Sequence, residues 1–143
     1  MFIRSLFLAL VLTVPALSVA YAKPAVASTK EEGKLVRPLL YAFVDFNWKV
    51  FGDLVADDFI PNKLDLMRKA SESFYKGKPL NLDVLSGEIK DAEGKKVVSF
   101  KWQKSVMDGA TGKMLNKEGA VEFVFVNRKG AWLLLQINGE SPF

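Results

Sequence analysis

The apolar residues of this chain change their period once, at Pro79, and that change restricts the folds open to it. Before Pro79 they recur every three or four residues: Leu35, Leu39, Phe43, Phe46, Val50 and Leu54, widened by Val36, Leu40, Val44 and Phe51. That spacing lines one face of a helix. Asp45-Phe46-Asn47 predicts a break in it, because Asp and Asn favour caps over helix interiors. Asp57-Asp58-Phe59-Ile60-Pro61 ends the segment as a turn or cap. Asn62 then caps a further helix carrying Leu64, Leu66, Met67, Ala70 and Phe74, closed by Gly77. After Pro79 the period is two. Leu80, Leu82 and Val84 alternate with polar residues, as do Val98, Phe100 and Trp102. Two more strands follow, Gly119 to Val126 and Ala131 to Asn138, joined by Asn127-Arg128-Lys129-Gly130. Helices first and four meandering strands second predict an α+β domain, with the helices on one face of an antiparallel sheet.

The last two strands carry more apolar residues than one covered face needs. Val121, Phe123 and Phe125 alternate with Ala120, Val124 and Val126, and Trp132 and Leu134 with Leu133, Leu135 and Ile137. A sheet with one wet face alternates more cleanly. The second face is therefore expected to meet a second subunit, giving a homodimer through the sheet.

The N-terminus reads as a secretory signal peptide. Arg4 precedes an uncharged stretch from Ser5 to Ala22, with Pro15 as a breaker and Ala20-Tyr21-Ala22 as a small-residue cleavage site. Ala25-Val26-Ala27 offers a second site. Residues 1–22 are thus expected to be removed, 23–34 to be a flexible leader, and 35–143 to form a single domain. Thr29-x-x-Glu32 fits a capping box that would start the first helix early. Gly33 and Pro38 argue for a start near Leu35, with Pro38 in the first turn. Export points to a periplasmic or secreted protein, with no membrane segment after cleavage.

Composition closes many chemistries. The chain has no Cys and no His. Disulfides, thiol nucleophiles and lipidated cysteines are excluded, as are imidazole bases and His-ligated metals. No metal or cofactor is expected. The net charge of +4 is scattered rather than gathered into a stripe, so no nucleic-acid partner is expected.

Three motifs, in their order, resemble the nuclear transport factor 2-like superfamily, the cystatin-like cone with ketosteroid isomerase-like and SnoaL-like members. They are the Asp57-Asp58-Phe59-Ile60 corner, the Phe100-x-Trp102 strand, and Gly130-Ala131-Trp132-Leu133-Leu134 in the last strand. The resemblance covers Leu35 to Phe143. It implies a strongly curved sheet wrapped around the helices, an apolar pocket at the open end of the cone, and frequent dimerisation. Its members include enzymes and non-catalytic binders, so fold does not choose function. Enzymatic relatives often carry a His on the last strand, after the position of Trp132. Here Gln136 and Asn138 follow Trp132 on what simple alternation makes the same face; amides can orient a ligand but carry no proton.

Several residues remain as candidates for chemistry. Glu122 is the one acidic residue in an apolar strand, and burial would make it a general base. Its alternative is a solvated position beside Lys101 or Lys104. Asp45 and Tyr41 are four apart on one helix face, a base and a donor. Trp48 and Trp102 serve as pocket walls or as core. The terminal Phe143 can tuck back against the sheet. These residues lead to an exported, non-enzymatic binding module for a small apolar ligand or protein partner, with Trp48, Trp102, Gln136 and Asn138 at the ligand. The alternative is a lyase or isomerase using Glu122 or Asp45.

Overall fold

The computed structural model describes residues 31–143. The expected signal peptide and most of the leader lie outside the described residues. The elements are α1 (Glu31–Val44), α2 (Trp48–Asp53), β1 (Val55–Ile60), α3 (Lys63–Lys76), β2 (Gly77–Ala92), β3 (Lys95–Asp108), β4 (Met114–Arg128) and β5 (Ala131–Gly139). They make an α+β domain whose curled, unclosed sheet packs against the helices.

The helix break falls at Asp45-Phe46-Asn47, where Asn47 accepts a hydrogen bond from the Val50 amide at 3.2 Å. Asn62 caps α3 in the same way, accepting from the Asp65 amide at 3.0 Å. The first helix starts at Glu31, earlier than Leu35, so Pro38 lies inside it rather than in its first turn. Contacts with the sheet secure that extra turn. Glu31 pairs with Lys96 of β3, and the buried Glu32 lies over Gly87 of β2.

The sheet has five strands, not four, in the order β1-β5-β4-β3-β2. The Asp57-Asp58 segment, expected to be a turn, is a strand lying parallel to β5. Val55 and Phe59 enter the core, while Asp57 and Asp58 face water and pair with Lys63 and Arg128. A free β5 edge gives this short segment its partner, which local pattern alone does not reveal.

The core lies between the inner sheet face and the helices. Val36, Leu39, Leu40 and Phe43 of α1 and Phe51 of α2 meet Val98, Phe100, Trp102, Val121, Phe123, Phe125 and Leu134. A smaller cluster of Ala56, Val126 and Leu135, with Leu133 against it, occupies the other face. Val124, Val126 and Leu135, three of the apolar residues that overfilled that face in sequence, are buried within the one chain.

Candidate functional site

The placement of the candidate residues follows from one irregularity. Between Val124 and Phe125 of β4 the register against β5 shifts, with Val124 opposite Gln136 and Phe125 opposite Leu134. The extra residue in β5 is Leu135, a bulge. Past it the alternation reverses. Ile137 pairs with the buried Phe123 and packs on the core, so Gln136 and Asn138 point to the outer face. Simple alternation had put both amides inside with Trp132.

Glu122 shares that outer face. It lies opposite Asn138 and Ser99, and Asn138 Nδ2 donates to Glu122 Oε1 at 3.1 Å. Its partners are thus not the lysines expected across the ladder. Asp45 is exposed in the turn after α1, and Tyr41 is 55% exposed on the helix. None of these three groups faces the interior. Trp48 packs at the rim of the core, edge-on to Phe43, Phe46, Phe51 and Phe74. Trp102 is buried, and its indole N–H donates to the Glu140 carbonyl at 2.7 Å. It lies on Gly119, where a Cβ would come within 2.6 Å of its ring. No side chain other than glycine's single hydrogen fits there.

The chain after β5 turns back into the cone. The Phe143 ring lies edge-on to Phe51 and Phe43, with ring centroids 4.9 Å and 5.2 Å away, and tilted against Phe123 at 5.7 Å. Pro142 is fully buried. The terminal aromatic is thus half-buried against the core.

Lys104 closes this arrangement. Inner-face positions on β3 run Val98, Phe100, Trp102, Lys104 and Val106, so its side chain enters the interior and is 7% exposed. Its ammonium donates to the Pro142 carbonyl at 2.7 Å and lies 5.4 Å and 5.8 Å from the Trp102 and Phe43 rings. No carboxylate pairs with it among the described residues. Burial, and second the like charge of Lys117, push its pKa down to about 8.

Beside Lys104 is a cavity of about 420 Å³, walled by the end of α3 and the adjoining ends of β2, β3 and β4. Lys69, Lys76, Lys104 and Lys117 line it, with Glu72 and Asp108 as its only acids. Glu72 is paired with Arg68 at 2.9 Å, while Asp108 accepts a hydrogen bond from the Ala110 amide at 2.8 Å and keeps its charge. Lys69 is paired with Asp65. Lys76, Lys104 and Lys117 have no carboxylate partner among the described residues. A further shallow groove lies over β2, β3 and β4 near Ser86, Ser99 and Ala120, without such a concentration of charge. Lys104 is not among the residues that the sequence pattern singles out for a site. Its signal was the run Phe100-x-Trp102-x-Lys104-x-Val106, a charge on an otherwise apolar strand face. No group of acids capable of holding a metal occurs among the described residues.

The architecture is that of the nuclear transport factor 2-like proteins. A superfamily member from Salmonella enterica serovar Typhimurium superposes with a TM-score of 0.67 at 12% identity, over 85% of this chain and 94% of that one. A nuclear transport factor 2-like protein of unknown function in nutrient uptake from Rhodospirillum rubrum gives 0.64 at 15% identity, over 80% of this chain and all of that one. The β subunit of benzoate 1,2-dioxygenase from Burkholderia mallei gives 0.62 at 12% identity, over 75% and 85%. No family model and no curated protein matches the sequence. At such identities the likeness establishes the fold, which houses enzymes and binders alike.

Proposed function

We propose that this chain is an exported, non-enzymatic binding module whose cavity beside Lys104 holds a small acidic ligand. The observation that carries this reading is the cluster of Lys76, Lys104 and Lys117 around a space of about 420 Å³, none of the three in an ion pair among the described residues. Two unit charges 4 Å apart at an effective dielectric of 20 attract by about 4 kcal/mol, so an anion there gains from each ammonium it reaches. The apolar ligand suggested by the fold gives way to an acidic one, because Phe143 and Pro142 take up the apolar interior. Export rests on the leader grammar of residues 1–22. Glu122, Asp45 and Tyr41 take no part in this reading, since each lies outside the interior. The module pairs with a second copy through its outer sheet face, where the exposed Met107 and Met114 oppose one another.

The test is calorimetric titration with lactate, a small acid, at low salt. Binding is expected to weaken at least tenfold in the double variant Lys76→Gln/Lys117→Gln, and to weaken as salt rises. Equal affinity of the double variant and the wild type would remove the cavity as the binding site.

A further inference from the structure

We propose that this cavity selects monocarboxylic acids with a short apolar tail, holding the carboxylate at Lys117 and the tail along Leu115. The proposal rests on the acid-binding reading of the cavity and names the class of acid.

The order of side chains along the cavity floor supports it. The floor is the inner face of β3 and β4, where the register places Lys104 opposite Lys117 and Val106 opposite Leu115. Asp108 comes next on β3, opposite Gly77 of β2. Residues two apart on a strand share a face and stand about 7 Å apart. One end of the floor is thus cationic, the middle apolar and the far end acidic. The Lys104 ammonium is committed to the Pro142 carbonyl. Lys117 is exposed and in no ion pair among the described residues, so it is the floor's cation for a ligand.

The roof is α3. Lys69, Glu72, Ser73 and Lys76 follow one another at steps of three and one to three, which sets them on a single helix face. All four are polar, so apolar contact with a ligand comes from the floor. Val106 is already buried, whereas Leu115 is 41% exposed and offers its surface to the cavity. Each methylene fully covered there adds about fourfold to affinity. The space of about 420 Å³ lies in the range of cavities that enclose organic ligands, and is more than an acid of three carbons fills.

Asp108 sets the other limit. It keeps its charge at the far end of the floor, so a tail that ends in a second carboxylate brings like charges together. Attraction to the lysines alone predicts the opposite, a dianion held more tightly than a monoanion. The two effects differ in sign, and that difference decides between selection by this floor and simple charge attraction.

The experiment is calorimetric titration of the full mature protein at pH 7 and low salt with acetate, hexanoate and adipate, beside lactate. Hexanoate is expected to bind about tenfold or more tighter than acetate, and adipate several-fold weaker than hexanoate. Leu115→Thr keeps a strand former and removes apolar surface, and should flatten the dependence on tail length. Asp108→Asn keeps the acceptor for the Ala110 amide but not the charge, and should bring adipate up to hexanoate or beyond. The wild-type series does not depend on the folding of either variant. Acetate and hexanoate of equal affinity overturn the proposal but leave the acid-binding reading standing, as does adipate bound as tightly as hexanoate by the wild type. An undiminished tail-length dependence in Leu115→Thr also overturns it, since the tail then lies elsewhere. Binding of none of the four acids overturns both.

Discussion

Lys104 carries its charge in surroundings that disfavour charge, and stability should depend on pH because of it. Its folded pKa of about 8 lies below the unfolded value of about 10.4. Between those values the unfolded chain binds more protons, so this residue's contribution becomes more favourable as pH rises through 8 to 10.4. Below pH 8 both states are protonated and the full cost of burying the charge is present. Lys104→Met removes that term, although it leaves the Pro142 carbonyl without its donor. Urea denaturation of the two proteins between pH 6 and 10 should therefore show the wild type gaining on the variant above pH 8. A constant difference across that range would mean that burial leaves the Lys104 pKa at its unfolded value. At the same scale, most of the sequence candidates resolved by side-chain direction. Glu122, Gln136 and Asn138 were legible as unusual residues on apolar strands, but their face was decided by the bulge at Leu135.

At the scale of elements, the segment after β5 acts as a plug rather than a tail. Phe143 contacts α1, α2 and β4 through Phe43, Phe51 and Phe123, while Trp102 and Lys104 hold the carbonyls of Glu140 and Pro142. Truncating a fully buried Phe costs about 3–5 kcal/mol, and Phe143 is only half-buried, so Phe143→Ala should cost about 2 kcal/mol. Chemical denaturation measures this, and a change under about 0.5 kcal/mol would show that the plug is not part of the stabilising core. The helices were legible because their caps are local: Asn47 and Asn62 each bond an amide three residues on. The strands were legible from their period, and the turn at Lys129-Gly130 from its residues. The strand β1 was not legible. Its two aspartates argue against a strand, and it pairs with a partner about eighty residues away in sequence.

For the molecule as a whole, the expectations of export and pairing meet in one measurement. The full chain expressed in a Gram-negative host should appear in the periplasmic fraction with an intact mass showing cleavage after Ala22 or Ala27. Light scattering on that material should then give twice the mature mass. A monomer at high micromolar concentration would count against the dimer, and an uncleaved chain would count against the signal peptide. The burial of Val124, Val126 and Leu135 within one chain narrows the surface left for a partner to positions such as Met107 and Met114. Sequence by itself determined the class of the fold, because a change of hydrophobic period separates helices from strands before any contact forms. It also determined which chemistries were closed, because absent Cys and His cannot be supplied by folding. Tertiary structure alone decided what the cone contains. A side chain's face after a bulge, the partner of a short strand and the path of the last four residues depend on contacts between distant parts of the chain. Those contacts turned Gln136 and Asn138 outward, packed Phe143 against the core aromatics, and buried the charged Lys104 on the inner sheet face.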